Sequence, residues 1–192
     1  MKKIFVFLIT LLFVGACNAK PNAQVTQEKP MPNNQKILVA YFSATGTTKK
    51  VAQNLAKATN ADIYEIKPTT PYTSADLNWR DDNSRSSVEM KNKSSRPEIV
   101  TDNFSVKEYD TVYLGFPIWW GTAPRVVQTF LEGQDFANKT IILFATSGSS
   151  TIGNTGKDLQ PSVASSAKVI KGKTLNGNPS VEELKAWANT FK

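Results

Sequence analysis

Five short apolar runs, separated by amphipathic stretches of helical period, limit this chain to very few architectures. "KILVAYF" (36–42), "TVYLGF" (111–116) and "TIILFA" (140–145) are almost unbroken apolar segments. Such runs suit parallel strands covered on both faces, because a strand with one wet face alternates instead. "ADIYEI" (61–66) is a shorter strand candidate, and "AKVIKGKTL" (167–175) supplies a fifth. Helical patterns follow at 48–59, 123–133 and 180–191, with a weaker one around 155–165. The last strong helix opens on Pro179-Ser180 with Glu182 and Glu183 in its first turn, a good start signal. Strands alternating with helices predict an open α/β sheet with right-handed crossovers and helices on both faces. Residues 68–108 break this rhythm: they hold no clear strand and no long apolar helix. A connection of that length inside a compact domain reads as a lid, a binding loop or an embellishment.

Composition removes whole classes of chemistry. The 192 residues include no histidine, which excludes Ser-His-Asp and Cys-His catalysis and histidine-ligated metals. Cys17 is the single cysteine, so no internal disulfide, CxxC redox pair or cysteine cluster can form, and metal binding has no support. Redox chemistry in this chain requires a borrowed cofactor.

The first residues read as a targeting segment. Lys2 and Lys3 precede an apolar stretch from Ile4 to Phe13, too short to span a bilayer comfortably, and "VGAC" follows. That tetrapeptide resembles the lipobox of bacterial lipoproteins. It implies a signal peptide over 1–16, lipidation of Cys17 and a membrane anchor in the cell envelope. Cleavage near Ala19 is the alternative, giving a soluble periplasmic or secreted protein. Residues 17–35 are polar, carry three prolines and show no periodicity, as a flexible tether would. Fully extended it reaches roughly 60 Å, and as a coil about 25 Å. The formal charge is +7, but leader and tether carry three of those charges, leaving the domain from Lys36 onward mildly basic. Its cations are scattered, with no basic stripe and no recognition module, so no nucleic-acid partner is expected.

In open α/β sheets, ligands bind beyond the carboxyl ends of the strands, where strand order reverses. After the first strand comes Ser43-Ala44-Thr45-Gly46-Thr47-Thr48. It offers hydroxyl donors, one glycine for a bend and free amides at a helix N-terminus, which suit an anion. The competing reading is that Ser and Thr merely cap the helix. The loop is neither a Walker A sequence nor a GxGxxG fingerprint. After the third strand comes Pro117-Ile118-Trp119-Trp120-Gly121. Its adjacent indoles can stack on a flat heteroaromatic, although one of the pair is expected to turn into the core. After the fourth strand comes Thr146-Ser147-Gly148-Ser149-Ser150-Thr151-Ile152-Gly153-Asn154, rich in glycine and hydroxyls and suited to the polar edge of a ring system. Together the loops describe one ligand class: a flat heteroaromatic with a phosphate tail.

"SATGTT" matches the flavodoxin phosphate-loop pattern [ST]-x-T-G-x-T at every fixed position, and the chain resembles the flavodoxin family across 36–192. "PYTSADLNW", "NSRSSVEM", "SSRP", "GFPIWWGTAP" and "ATSGSSTIGNTGKDL" resemble a bacterial subgroup of that family. The resemblance implies a doubly wound, five-stranded parallel sheet of order 2-1-3-4-5 and bound FMN. It assigns Ser43, Thr45, Gly46, Thr47 and Thr48 to the phosphate. It places Pro117, Ile118, Trp119 and Trp120 beside the isoalloxazine, with Gly121 allowing the turn. Ser147, Gly148 and Ser149 then approach the ring from the third loop. Small electron-carrier flavodoxins are usually acidic and cytoplasmic, whereas this domain is mildly basic and carries an export signal.

The expected function is electron transfer through the flavin in the cell envelope, with a redox protein or a small electron donor or acceptor as partner. No residue of the chain is expected to be catalytic by itself, because the flavin carries the chemistry. The three loops hold no carboxylate before Asp158, so the indoles and main-chain contacts are expected to tune the potential. One alternative is an FMN-dependent NAD(P)H or quinone reductase, with segment 69–97 as a pocket wall and Tyr72, Trp79, Arg85 and Arg96 as its candidates. Those four residues can equally pack the insertion onto the domain. A second alternative is a flavin-binding module without turnover. A phospho-receiver domain lacks its acidic residues here, and a serine hydrolase lacks both G-x-S-x-G and a histidine.

Overall fold

In the strand Ile37–Tyr41 (β1), Leu38 and Ala40 point to one face of the sheet while Val39 and Tyr41 point to the other, and all four are buried. That two-residue alternation with no wet face is why the sequence shows an unbroken apolar run. The computed structural model describes residues 35–191. The leader, Cys17 and the tether up to residue 34 lie outside the described residues. Asp62–Glu65 (β2), Thr111–Pro117 (β3), Thr140–Thr146 (β4) and Lys168–Thr174 (β5) complete a sheet of order β2-β1-β3-β4-β5, with every pairing parallel. This is the order the flavodoxin resemblance implied.

Helices Thr47–Thr59 (α1) and Val181–Ala188 (α5) cover one face, where Val51, Leu55, Leu184 and Trp187 pack on Val39, Tyr113, Ile142 and Phe144. The other face carries Arg125–Glu132 (α3), whose Val126, Val127, Phe130 and Leu131 pack on Leu114, Phe116, Ile141 and Leu143. The start of α5 is a complete capping box: Ser180 Oγ accepts from the Glu183 amide, and Glu183 accepts from the Ser180 amide. The helix expected around 155–165 is shorter than its pattern. Thr155–Leu159 (α4) gives way to a 3₁₀ turn at Gln160–Ser162, because Pro161 has no amide to continue the ladder.

Both sheet edges are guarded. β5 exposes Lys168, Lys171 and Lys173, which discourage pairing with another chain. Just past β2 the chain returns alongside, with the Val100 amide donating to Lys67 O at 2.8 Å and Thr69 to Glu98 O at 2.9 Å. Residues 68–108 hold one short helix, Arg85–Lys91 (α2), and a 3₁₀ turn at Val106–Glu108. Among the described residues no helix is long and apolar enough to cross a membrane.

Arg96 pins this insertion to α3, donating from Nε and Nη2 to the two carboxylate oxygens of Glu132, each at 2.7 Å. That hydrogen bond holds the Glu132 carboxyl below its usual range. A carboxyl depressed in the folded state stabilises above the unfolded value and loses that stabilisation as pH falls through the folded one. Both side chains are partly solvated and screened, so Arg96→Ala is expected to cost about 1 kcal/mol or less at neutral pH. The gap between the two proteins should close in acid, below the ordinary carboxylate range, as read by urea unfolding across pH.

Candidate functional site

The loop after β1 does not cap α1 with a side chain. Gly46 is the N-cap residue, in a left-handed conformation (φ 87°), and no side-chain oxygen accepts from the first turn. No acidic residue lies in that turn either. Among the described residues none accepts a hydrogen bond from the amides of 43 to 49; the first helical bond is Lys50 N–H to Gly46 O at 3.2 Å. Free amides on the positive end of a helix favour an anion, so this run could hold one. Thr45 and Thr47 are exposed, with hydroxyls 3.4 Å apart, and Ser43 is half-buried. Thr48 differs from its neighbours. It is buried, and its hydroxyl is paired with that of Thr146 at the end of β4 at 2.8 Å. Thr48 therefore offers this loop its amide and ties the first loop to the third.

The loop after β3 is a tight reversal. Trp119 and Thr122 exchange main-chain hydrogen bonds of 2.9 and 3.1 Å, and Trp120 (φ 46°) and Gly121 (φ 79°) both adopt positive φ. Those angles define a type I′ turn, whose first central position normally holds Asn, Asp or Gly. A tryptophan held there costs about 1–2 kcal/mol of backbone strain. The turn sends the two indoles apart. Trp119 packs inward, edge-on to Phe42 at 5.7 Å and to Tyr72 at 5.2 Å, while Trp120 remains 48% exposed. Pro117 ends β3, and the Ile118 amide donates to Thr146 O at 2.9 Å, which fixes the turn beside β4.

Behind Trp119 stands part of the insertion. The Tyr72 hydroxyl donates to Glu89 Oε2 at 2.5 Å, and the Arg85 guanidinium lies 4.1 Å from the Tyr72 ring centre. Arg85 also donates from Nε to Glu89 Oε1 at 2.7 Å and from Nη1 to Thr70 O at 2.8 Å. Burial, then the hydrogen bond to Glu89, push the Tyr72 phenol far above its ordinary value, so it keeps its proton. Tyr72 thus reaches the tryptophan turn, and Arg85 braces Tyr72 from behind. Trp79 is 67% exposed beneath Arg80, and Arg96 is engaged with Glu132. Glu89 was missed from sequence because it lies outside the three loops.

In the loop after β4, Ser147 Oγ accepts from the amides of Ser149 (3.4 Å) and Ser150 (2.9 Å). Its hydroxyl shapes the loop, leaving Gly148 and Ser149 exposed. The Ser147 amide donates to Asn176 Oδ1 at 2.9 Å. Asn176 follows β5, the one strand end at this edge other than β2's that the loop reading passed over. Its "NGNP" turn was the available signal. The three loops emerge at one edge because all strands are parallel, and they flank the point between β1 and β3 where strand order reverses.

A five-stranded parallel sheet of this order, with helices on both faces, defines the flavodoxin-like class. The chain belongs to the flavodoxin family, whose profile matches residues 36–191. A flavoprotein candidate from Bacteroides uniformis ATCC 8492 is 51% identical, with a TM-score of 0.73 over 81% of this chain and 98% of its own. One from Bacteroides eggerthii DSM 20697 is 45% identical, with a TM-score of 0.76 over 82% of this chain and 98% of its own. The FMN complex of a flavoprotein from Lactobacillus acidophilus NCFM shares the fold at 22% identity, with a TM-score of 0.59 over 80% of this chain and 99% of its own. No match was found among curated proteins.

Proposed function

We propose that this protein binds FMN at the switch point and serves as an electron-transfer flavoprotein of the cell envelope. The observation that carries this reading is the run of unpaired amides from 43 to 49 at the uncapped start of α1. A phosphate monoester would satisfy several of those donors at once, each charge-assisted. The hydroxyls of Ser43, Thr45 and Thr47 would join them, and Gly46 supplies the bend. Trp120, exposed in a strained turn with Gly121, would stack on the ring. Pro117, Ile118 and inward-packed Trp119 would support that platform. Gly148 and Ser149 would meet the ring's polar edge, with Ser147 holding their loop. The flavin supplies reversible electron transfer when bound; the protein supplies position and electrostatics. Extraction of flavin from the purified full chain tests this directly. FMN is the expected product, and a colourless protein that also takes up no added FMN contradicts it.

The carrier reading is favoured over a reductase by the exposed indole edge at Trp120 and by the Tyr72–Glu89–Arg85 group. The Tyr72 hydroxyl, the Glu89 carboxylate and Nε and Nη1 of Arg85 are already engaged with one another or with Thr70 O, which leaves only Arg85 Nη2 without a partner among the described residues. Steady-state turnover of NADH or NADPH with a quinone, without any other protein, would reverse the preference. Export and attachment through lipidated Cys17 rest on the leader sequence, and labelled palmitate should be incorporated by the native chain and not by Cys17→Ala.

A further inference from the structure

Arg125 opens α3, three residues beyond the tryptophan turn, and is 92% buried, with 8% of its surface exposed. Its Nη1 donates to Gln128 Oε1 at 3.0 Å and its Nη2 to Met90 O at 2.9 Å, both neutral acceptors. Its Nε has no partner, and among the described residues no carboxylate lies within ion-pair distance of it. The other charges near this wall are balanced, Arg85 with Glu89 and Arg96 with Glu132, and Asp158, the carboxylate that acts on Arg125 from beyond ion-pair distance, is exposed to solvent. Buried charges are normally paired, so this guanidinium leaves one net positive charge in a region where fields are weakly screened. Its helix starts just beyond the tryptophan turn. Three residues span at most about 11 Å from Thr122. Met90 adjoins Glu89, which holds Tyr72, whose ring centre is 5.2 Å from Trp119. A cation at the first turn of α3 also opposes that helix's own dipole, so its position gains nothing from the helix.

We infer that Arg125 is a positioning charge for the redox chemistry: it raises the reduction potential of the bound flavin by favouring the more negative, reduced form. The inference rests on the FMN reading above. It adds a side-chain charge to the indoles and main-chain contacts expected to tune the potential. At an effective dielectric near 20, a unit charge acting over about 10 Å changes the preference for a form one charge more negative by roughly tenfold.

The test compares full-length native protein, Arg125→Gln and Arg125→Lys, each loaded with FMN, by midpoint potential against reference dyes from acid to alkaline pH. Arg125→Gln is expected to bind reduced FMN about tenfold less tightly relative to oxidised FMN, a fall of about 30 mV for the two-electron couple. Arg125→Lys keeps the charge and should match the native potential at low pH. Burial and Arg96 push such a lysine's titration down while Asp158 opposes them, as they do for Arg125 itself. As that lysine loses its proton, its potential should fall to the Arg125→Gln value. A purely structural role would shift both variants together at every pH. A native potential in Arg125→Gln overturns the inference. So does an Arg125→Lys potential displaced from the native one at low pH, which also decides the matter should Arg125→Gln not fold. Native protein that holds no FMN removes the cofactor reading instead.

Discussion

Gly172→Ala is expected to lower the stability of this protein by about 3 kcal/mol or more, with unfolding at markedly lower urea. A methyl group at this position would fall on the carbonyl oxygen of Leu143, well inside the 3.0 Å that real Cβ atoms respect, and 2.9 Å from Trp187 Cζ2. The oxygen belongs to the backbone of a central strand and cannot swing away as a side chain could. Here β5 crosses a register shift between Ile142 and Phe144, which brings the two strands unusually close. Relief requires β5 to move off β4, and with it α5, whose Trp187 and Leu184 fill that face of the core. Gly148→Ala is the matched control, since a Cβ there meets nothing within 4 Å and should change stability little. Urea unfolding of both variants checks the contrast. A loss below about 1 kcal/mol for Gly172→Ala would mean the two strands are not held at this spacing.

Trp120→Gly is expected to move stability and cofactor affinity in opposite directions. Glycine accepts positive φ without strain, so the turn should gain up to about 1 kcal/mol. Loss of the exposed indole removes a stacking surface worth about 1–3 kcal/mol, which is roughly 5-fold to 150-fold in FMN affinity. Few substitutions separate these quantities so cleanly, because most residues that contact a ligand also hold the fold. Thermal unfolding of the apoprotein and fluorescence titration with FMN read the two effects independently. Unchanged affinity would show that the strain at Trp120 serves some other contact.

The fold was legible because β1, β3 and β4 are buried on both faces, so each leaves a continuous apolar run ended by small or turn-forming residues. The loops of the site were legible for the same reason: hydroxyl- and glycine-rich stretches directly after such runs can only lie at the strand ends. What could not be read depends on distant parts of the chain meeting. Glu89 lies on a seven-residue helix without a strong apolar pattern, and only the folded insertion joins it to Tyr72 and Arg85, both read from sequence as wall candidates. Arg125 resembles any helical surface arginine until Met90 and Gln128 enclose it. Asn176 becomes part of the site through one hydrogen bond to Ser147. The divergence of the two tryptophans was foreseeable from their adjacency, but which one turns inward is decided by the left-handed backbone at Trp120. Helix α1 shows how local chemistry can mislead. A loop rich in Ser and Thr invites a side-chain cap, yet Gly46 takes the cap position and leaves the amides free.

Parallel titrations of the flavin-free protein with FMN and with riboflavin, followed by quenching of tryptophan fluorescence, probe those free amides most directly. Binding of FMN at least about a hundredfold tighter than riboflavin is the predicted result, since the two ligands differ only in the phosphate and two charge-assisted hydrogen bonds suffice for that ratio. Equal affinities, or no quenching by either ligand, would show that the start of α1 holds no phosphate.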